Sequence, residues 1–168
     1  RDALSLELLS ARLQARRTNG GNLSFTLNTL ALELKAQGKY DAAEPLYREA
    51  LEMNRETLGN RHPNTLTCIN NLGALLQANC DLAAAEPLYR EALEGKRETL
   101  GNRHKSTLTS ISNLGGLLRA KGNLAAAELL SREALEMQRE TLGNRHPDTL
   151  ASINNLGNLL QDLSLIHI

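Results

Sequence analysis

The regularly spaced side chains that could do chemistry in this sequence are three of its four histidines and three glutamates, joined by two cysteines, and their spacing decides what they can do. His62, His104 and His146, each preceded by an arginine (Arg61, Arg103 and Arg145), stand 42 residues apart. Imidazole binds zinc, but equivalent positions one helix pair apart are separated by roughly 15–20 Å, because each pair adds two helix layers. A single zinc holds all its ligands within about 2.3 Å. The histidines are therefore expected to be turn residues, and no metal is expected. Glu44, Glu86 and Glu128 keep the same spacing and read as helix-surface or repeat-to-repeat partners. No Ser, Cys or His lies in a recognisable nucleophilic motif, and there is no phosphate-binding GxxxxGK[ST]. The expectation is a protein that is not an enzyme, with no catalytic residue and no cofactor.

Cys68 and Cys80 occupy places where other repeats carry Ser110 and Ser152, or Gly38 and Gly122. They fall near opposite ends of one expected helix, about 18 Å apart at 1.5 Å per residue, too far to bridge within it. Free thiols suit a reducing compartment. No apolar run approaches 18 residues, so an intracellular, cytoplasmic protein that does not enter a membrane is expected.

The elements that carry these residues are set by one unit. Residues 56–73, ETLGNRHPNTLTCINNLG, return as ETLGNRHKSTLTSISNLG from Glu98 and as ETLGNRHPDTLASINNLG from Glu140. A constant period of 42 residues is the mark of a stacked repeat array, in which neighbouring units share one core and present a long surface instead of a closed pocket. Lys plus Arg equals Asp plus Glu at 19 each, so no global field draws the chain to nucleic acid. Aromatic residues make up 2% and tryptophan is absent, which disfavours a base-stacking platform and favours close-packed helices.

Taken in order, residues 1–17 read as the second helix of a truncated repeat and 22–58 as the first helix pair. Residues 63–100 and 105–142 read as the second and third pairs, and 147–162 as the first helix of a fourth that ends near Gln161. Gly59 is expected to stop its helix in the left-handed α conformation and Pro63 to open the next. Asn123 is expected to be an N-cap. Gly95 stands where other repeats have Met53 and Met137, so local stability is expected to be low there. Residues 163–168, LSLIHI, do not match the second-helix starts DLAAAE and NLAAAE; they resemble translated sequencing-adaptor read-through. The first residue is not Met and falls inside an expected helix, so the chain reads as a fragment.

With the units laid out, the sequence resembles the tetratricopeptide repeats, in particular the 42-residue kinesin light chain-like kind. The family's Leu followed by a small residue matches Leu30–Ala31, Leu72–Gly73, Leu114–Gly115 and Leu156–Gly157. Its small, aromatic, small series matches Ala43, Tyr47 and Ala50, then Ala85, Tyr89 and Ala92. In the third unit Ala127 and Ala134 fit, while Ser131 replaces the aromatic residue. The resemblance implies an all-α, right-handed α-solenoid of antiparallel helix pairs whose first helices line a concave, peptide-binding groove.

Carried over residue by residue, it places Asn28, Asn70, Ser112 and Asn154 on one row and Thr29, Asn71, Asn113 and Asn155 on the next. Amides donate and accept together, which suits gripping a peptide backbone; the competing reading is that they bond neighbouring helices. Phe25, Lys35, Thr67, Gln77, Thr109, Arg119, Asn158 and Gln161 belong to the same expected face. The expected function is a non-catalytic protein-interaction scaffold for a protein or peptide ligand, with no nucleic acid or membrane partner. The alternative is a regulatory or sensor arm of a larger signalling ATPase or enzyme whose catalytic part lies outside this fragment. Self-association is expected through an uncapped last helix whose Leu156 and Leu160 are partly uncovered.

Overall fold

The structure, a computed structural model, describes residues 23–166; the helix expected over residues 1–17 lies outside them. The described residues form seven α-helices and no strand: α1 (Leu23–Ala36), α2 (Tyr40–Leu58), α3 (Pro63–Ala78), α4 (Leu82–Leu100), α5 (Lys105–Ala120), α6 (Leu124–Leu142) and α7 (Pro147–Ile166). They fall into two compact units divided between Asp81 and Leu82. In the first, α1 packs on α2, and α3 packs on both. In the second, α4 packs on α5, α5 on α6 and α6 on α7.

The recurring 18-residue unit owes its constancy to the turn it builds. Gly59 closes α2 at φ 87° and ψ 165°, and Gly143 closes α6 at φ 86° and ψ 164°. These are not the left-handed α conformation expected from the sequence. The positive φ holds, but the extended ψ sends the chain out of the helix and across to the next one, in a region essentially restricted to glycine. Three residues on, His62, His104 and His146 each turn Nδ1 to accept the backbone N–H two residues ahead, at 3.1–3.2 Å. They are helix caps, and Pro63 takes the first position of α3, where its missing N–H costs nothing.

A buried threonine completes the turn. Thr65 and Thr107 are fully buried, and their hydroxyls donate at 2.8 Å to the carbonyls of Gly59 and Gly101. Asn123 caps α6, accepting from the Ala126 N–H at 3.3 Å as its position foretold.

The turn inside each helix pair uses a different device. Lys39, Asp81 and Asn123 each donate a backbone N–H to the carbonyl five residues back, at 2.9 Å. The residue before each has positive φ: Gly38 at 74°, Cys80 at 63° and Gly122 at 78°. Cys80 is the one non-glycine residue with positive φ among the described residues.

Leu27, Leu46, Tyr47, Leu66, Ile69 and Leu72 centre the core of the first unit, and Tyr89, Ile111, Leu114 and Leu117 that of the second. Gly95 is buried within an unbroken α4. Two expectations for the last helix need correction. Leu156 is covered, 8% exposed, because α7 finds a packing partner in α6; Leu160 is 38% exposed, as expected. The helix also runs past Gln161 to Ile166: QDLSLI contains neither Gly nor Pro, so nothing in it stops the ladder. Among the described residues, no helix is long and apolar enough to cross a membrane.

Candidate peptide-binding surface

The expected face divides cleanly between the two units. In the first, Asn71 Nδ2 donates to Asn28 Oδ1 at 3.1 Å, bridging the first helices α1 and α3. The Cys68 thiol lies 3.6 Å from the same oxygen and accepts from Asn54 Nδ2 at 3.1 Å. Burial pushes the Cys68 thiol pKa up, so the group stays protonated and unreactive; both cysteines are free.

Here the amide rows bond to each other across helices. Asn70 is 9% exposed, and the Thr67 hydroxyl donates to the Pro63 carbonyl at 2.8 Å. Phe25 is 63% exposed. Lys35 and Gln77 are half-buried, and burial lowers the pKa of Lys35.

The second unit is open. Thr109, Ser112, Arg119, Asn154, Asn155, Asn158 and Gln161 are exposed and Asn113 is half-buried. A cleft of about 640 Å³ lies among α5, α6 and α7 and brings together Thr109, Ser112, Ser152 and Asn155, with Arg103 and Lys105 at its turn end. A smaller cavity of about 200 Å³ shares Ser112, Ser152 and Asn155 with it and reaches Arg119. Arg119 is held by Asp162, Nε to Oδ2 at 2.8 Å. Asn113, Asn154 and Asn158 line neither space. The Thr109 hydroxyl is bonded to its own helix, at the Lys105 carbonyl; Ser112, Ser152, Asn155 and Gln138, whose Oε1 has no partner, bring further hydrogen-bonding groups to the cleft.

Sequence reasoning missed a buried polar column. Asn54, Lys96 and Gln138, at 42-residue spacing, are 3%, 6% and 7% exposed. Asn54 bonds to Cys68, and Lys96 Nζ donates to Ser110 Oγ at 2.8 Å; Gln138 Oε1 has no partner. The signal available was that three polar residues recur in the buried stripe of the second helices, each 14 residues before a Cys or Ser. The carboxylates behave as read: Glu44, Glu86 and Glu128 pair with Arg48, Arg90 and Arg132 one helical turn on. Glu86 also reaches Lys121, and these cations, Lys121 first, hold its pKa below the usual carboxylate range. Among the described residues no cluster of His, Cys, Asp or Glu could hold a metal ion.

Paired helices with this turn grammar and this 42-residue period define a tetratricopeptide repeat protein, and the family profile, Tetratricopeptide repeat, matches residues 22–98, 66–140 and 106–164. The chain belongs to that family. Its repeats are of the kinesin light chain-like kind. They superpose with a TM-score of 0.77 on a Podosopora anserina kinesin light chain-like protein with nearly identical TPR-like repeats, 26% identical over 84% of this chain and 67% of that one. BtubC (BKLC) from P. vanneervenii shares the fold at a TM-score of 0.76 and 24% identity, over 84% of this chain and 57% of that one. The N-terminal domain of stress-induced protein-1 (STI-1) from C. elegans shares it at 0.58 and 19%, over 80% and 94%. This chain thus spans little more than half of the BtubC structure. No curated protein sequence matches it.

Proposed function

We propose that the chain is a non-catalytic docking scaffold that holds an extended peptide segment against its first helices. The observation that carries this reading is the open cleft among α5, α6 and α7, where Ser112, Ser152 and Asn155 converge on a floor that also includes Leu108, Leu142 and Ala151. Hydroxyl and amide groups there offer both donors and acceptors, which matches the alternating N–H and C=O of a peptide backbone and sets little demand on its sequence. Membership of a family of protein-interaction repeats supports the same reading. In the first unit, the Asn28–Asn71 bond suits a structural role that holds α1 and α3 in register.

The test is a peptide selected from a random display library on this chain. Replacing Ser112 and Asn155 together by Ala should cost roughly 1–3 kcal/mol of affinity, as expected for polar groups that pair with a desolvated backbone. Arg132→Ala, on α6 and paired with Glu128, should change it little. Equal losses in both variants, or a loss in Arg132→Ala alone, would place the peptide elsewhere.

A further inference from the structure

The second helices α2 and α4 each bury a tyrosine: Tyr47 is 0% exposed and Tyr89 2%. The matching residue of α6, 42 positions further, is Ser131. Its hydroxyl donates to the Ala127 carbonyl at 2.8 Å and so turns back on its own helix. The neighbouring helix α5 does not refill the volume, because it carries Gly115 and Gly116 there; a methyl built on Gly115 would reach Leu130 Cβ and Ser131 Oγ only at 3.8 Å. The result is the cavity of about 200 Å³ lined by Ser112, Gly116, Ser131, Asn155 and Leu159. A cavity of about 150 Å³ suffices to hold a benzene ring.

A second observation points to a missing ligand. The cleft that continues from this cavity through Ser112, Ser152 and Asn155 is lined by Gln138, whose side chain is more than nine-tenths buried and whose Oε1 has no donor. Asn54 and Lys96, the matching residues of α2 and α4, both find partners within the protein. A buried acceptor without a donor is costly, and native structures rarely keep one.

We propose that the cavity beside Ser131 is a socket for an aromatic side chain of the bound peptide, whose backbone passes through the adjoining cleft and supplies an N–H to Gln138. The proposal rests on the peptide-scaffold reading and makes it specific. The missing tyrosine gives the shape, so the ring that fits is phenol-sized. The third helix pair alone among the three described offers the socket, since Tyr47 and Tyr89 fill the corresponding places in the other two.

The probe is p-cresol, the side chain of tyrosine in free form, titrated into the 168-residue chain and followed by amide NMR and by melting temperature. Saturable shifts at Ser112, Gly116, Ser131 and Asn155 and a rise in melting temperature are expected. Ser131→Tyr should melt higher than the parent, by filling its own socket, and should lose the response to p-cresol. Gly115→Ala, which narrows the socket from the α5 side, keeps the fold and should weaken p-cresol by about tenfold. Peptides selected on the parent chain should carry an aromatic residue, compete with p-cresol and bind Ser131→Tyr at least about tenfold more weakly.

The socket is overturned if p-cresol gives no saturable response or responds equally in Ser131→Tyr. It is overturned as a peptide site if p-cresol binds but selected peptides neither compete with it nor sense Ser131→Tyr; the cavity then takes a free aromatic molecule. Peptides that sense Ser112→Ala/Asn155→Ala but not Ser131→Tyr would leave the scaffold reading standing while removing the socket. Failure to select any peptide would remove the scaffold reading itself.

Discussion

Cys80 stands where the other two helix pairs have glycine, and its φ of 63° puts a Cβ in a region that costs a non-glycine residue roughly 1–2 kcal/mol. Cys80→Gly is therefore expected to raise the stability of the first unit by roughly 1 kcal/mol, less the added freedom of glycine in the unfolded chain. A denaturant midpoint that falls would show that the exposed thiol contributes more than its backbone strain removes. Lys96 presents the opposite problem, a buried ammonium whose partner, the Ser110 hydroxyl, is neutral. Burial lowers its pKa; between the depressed folded value and the ordinary unfolded one, the unfolded chain binds more protons, so stability rises with pH in that interval. Below it the charged lysine is a liability. Lys96→Gln, which copies Gln138, should be more stable than the parent near neutral pH, with the gap closing as pH rises into the alkaline range. Parallel pH profiles for the two proteins would mean that Lys96 keeps its charge at no cost.

At the scale of elements, the helix ladder was legible because its punctuation is repeated: Gly59, Gly101 and Gly143 end helices, and a histidine followed by Pro63, Lys105 or Pro147 begins them. What those residues do was less legible. A glycine announces positive φ, but the ψ of 165° at Gly59 depends on where the next helix lies, and the capping role of His62 depends on which way its ring turns. The last helix ran long because only the absence of a stop signal, and no positive sign, marks continuation. The buried threonines test this account of the turn. Thr107→Val keeps the shape but strips the Gly101 carbonyl of its donor, and should cost roughly 1–3 kcal/mol. Thr149 is equally buried, but its hydroxyl has no partner, so Thr149→Val should be neutral or stabilising. Equal costs at both positions would show that packing, not the hydrogen bond, holds the turn.

For the whole molecule, the sequence foretold the family and the all-α fold, but not how the expected face differs between the two units. Asn28 and Asn71 look the same in sequence as Asn154 and Asn155, yet the first two bond to each other across helices and the last two face solvent. The difference lies in the partner: the position 43 residues before Asn155 holds Ser112, whose side chain is shorter than that of Asn28, and the change is visible in the repeat register. Ser131 was visible as a departure from the pattern; that it leaves a cavity follows only from the glycines opposite it and from the direction of its hydroxyl. Surface ion pairs such as Arg119 with Asp162 are expected to tune peptide choice weakly, because charges at this exposure are screened over about 8 Å at physiological salt.

The central claim is that a peptide lies on the first helices, and amide NMR of the chain with a library-selected peptide tests it most directly. The account predicts saturable shifts concentrated on α5 and α7, at Ser112, Ser152 and Asn155, with α2 and the outer surface of α6 around Glu128 and Arg132 undisturbed. Shifts confined to that outer surface, or to the turns at Arg61 and Arg145, would contradict it.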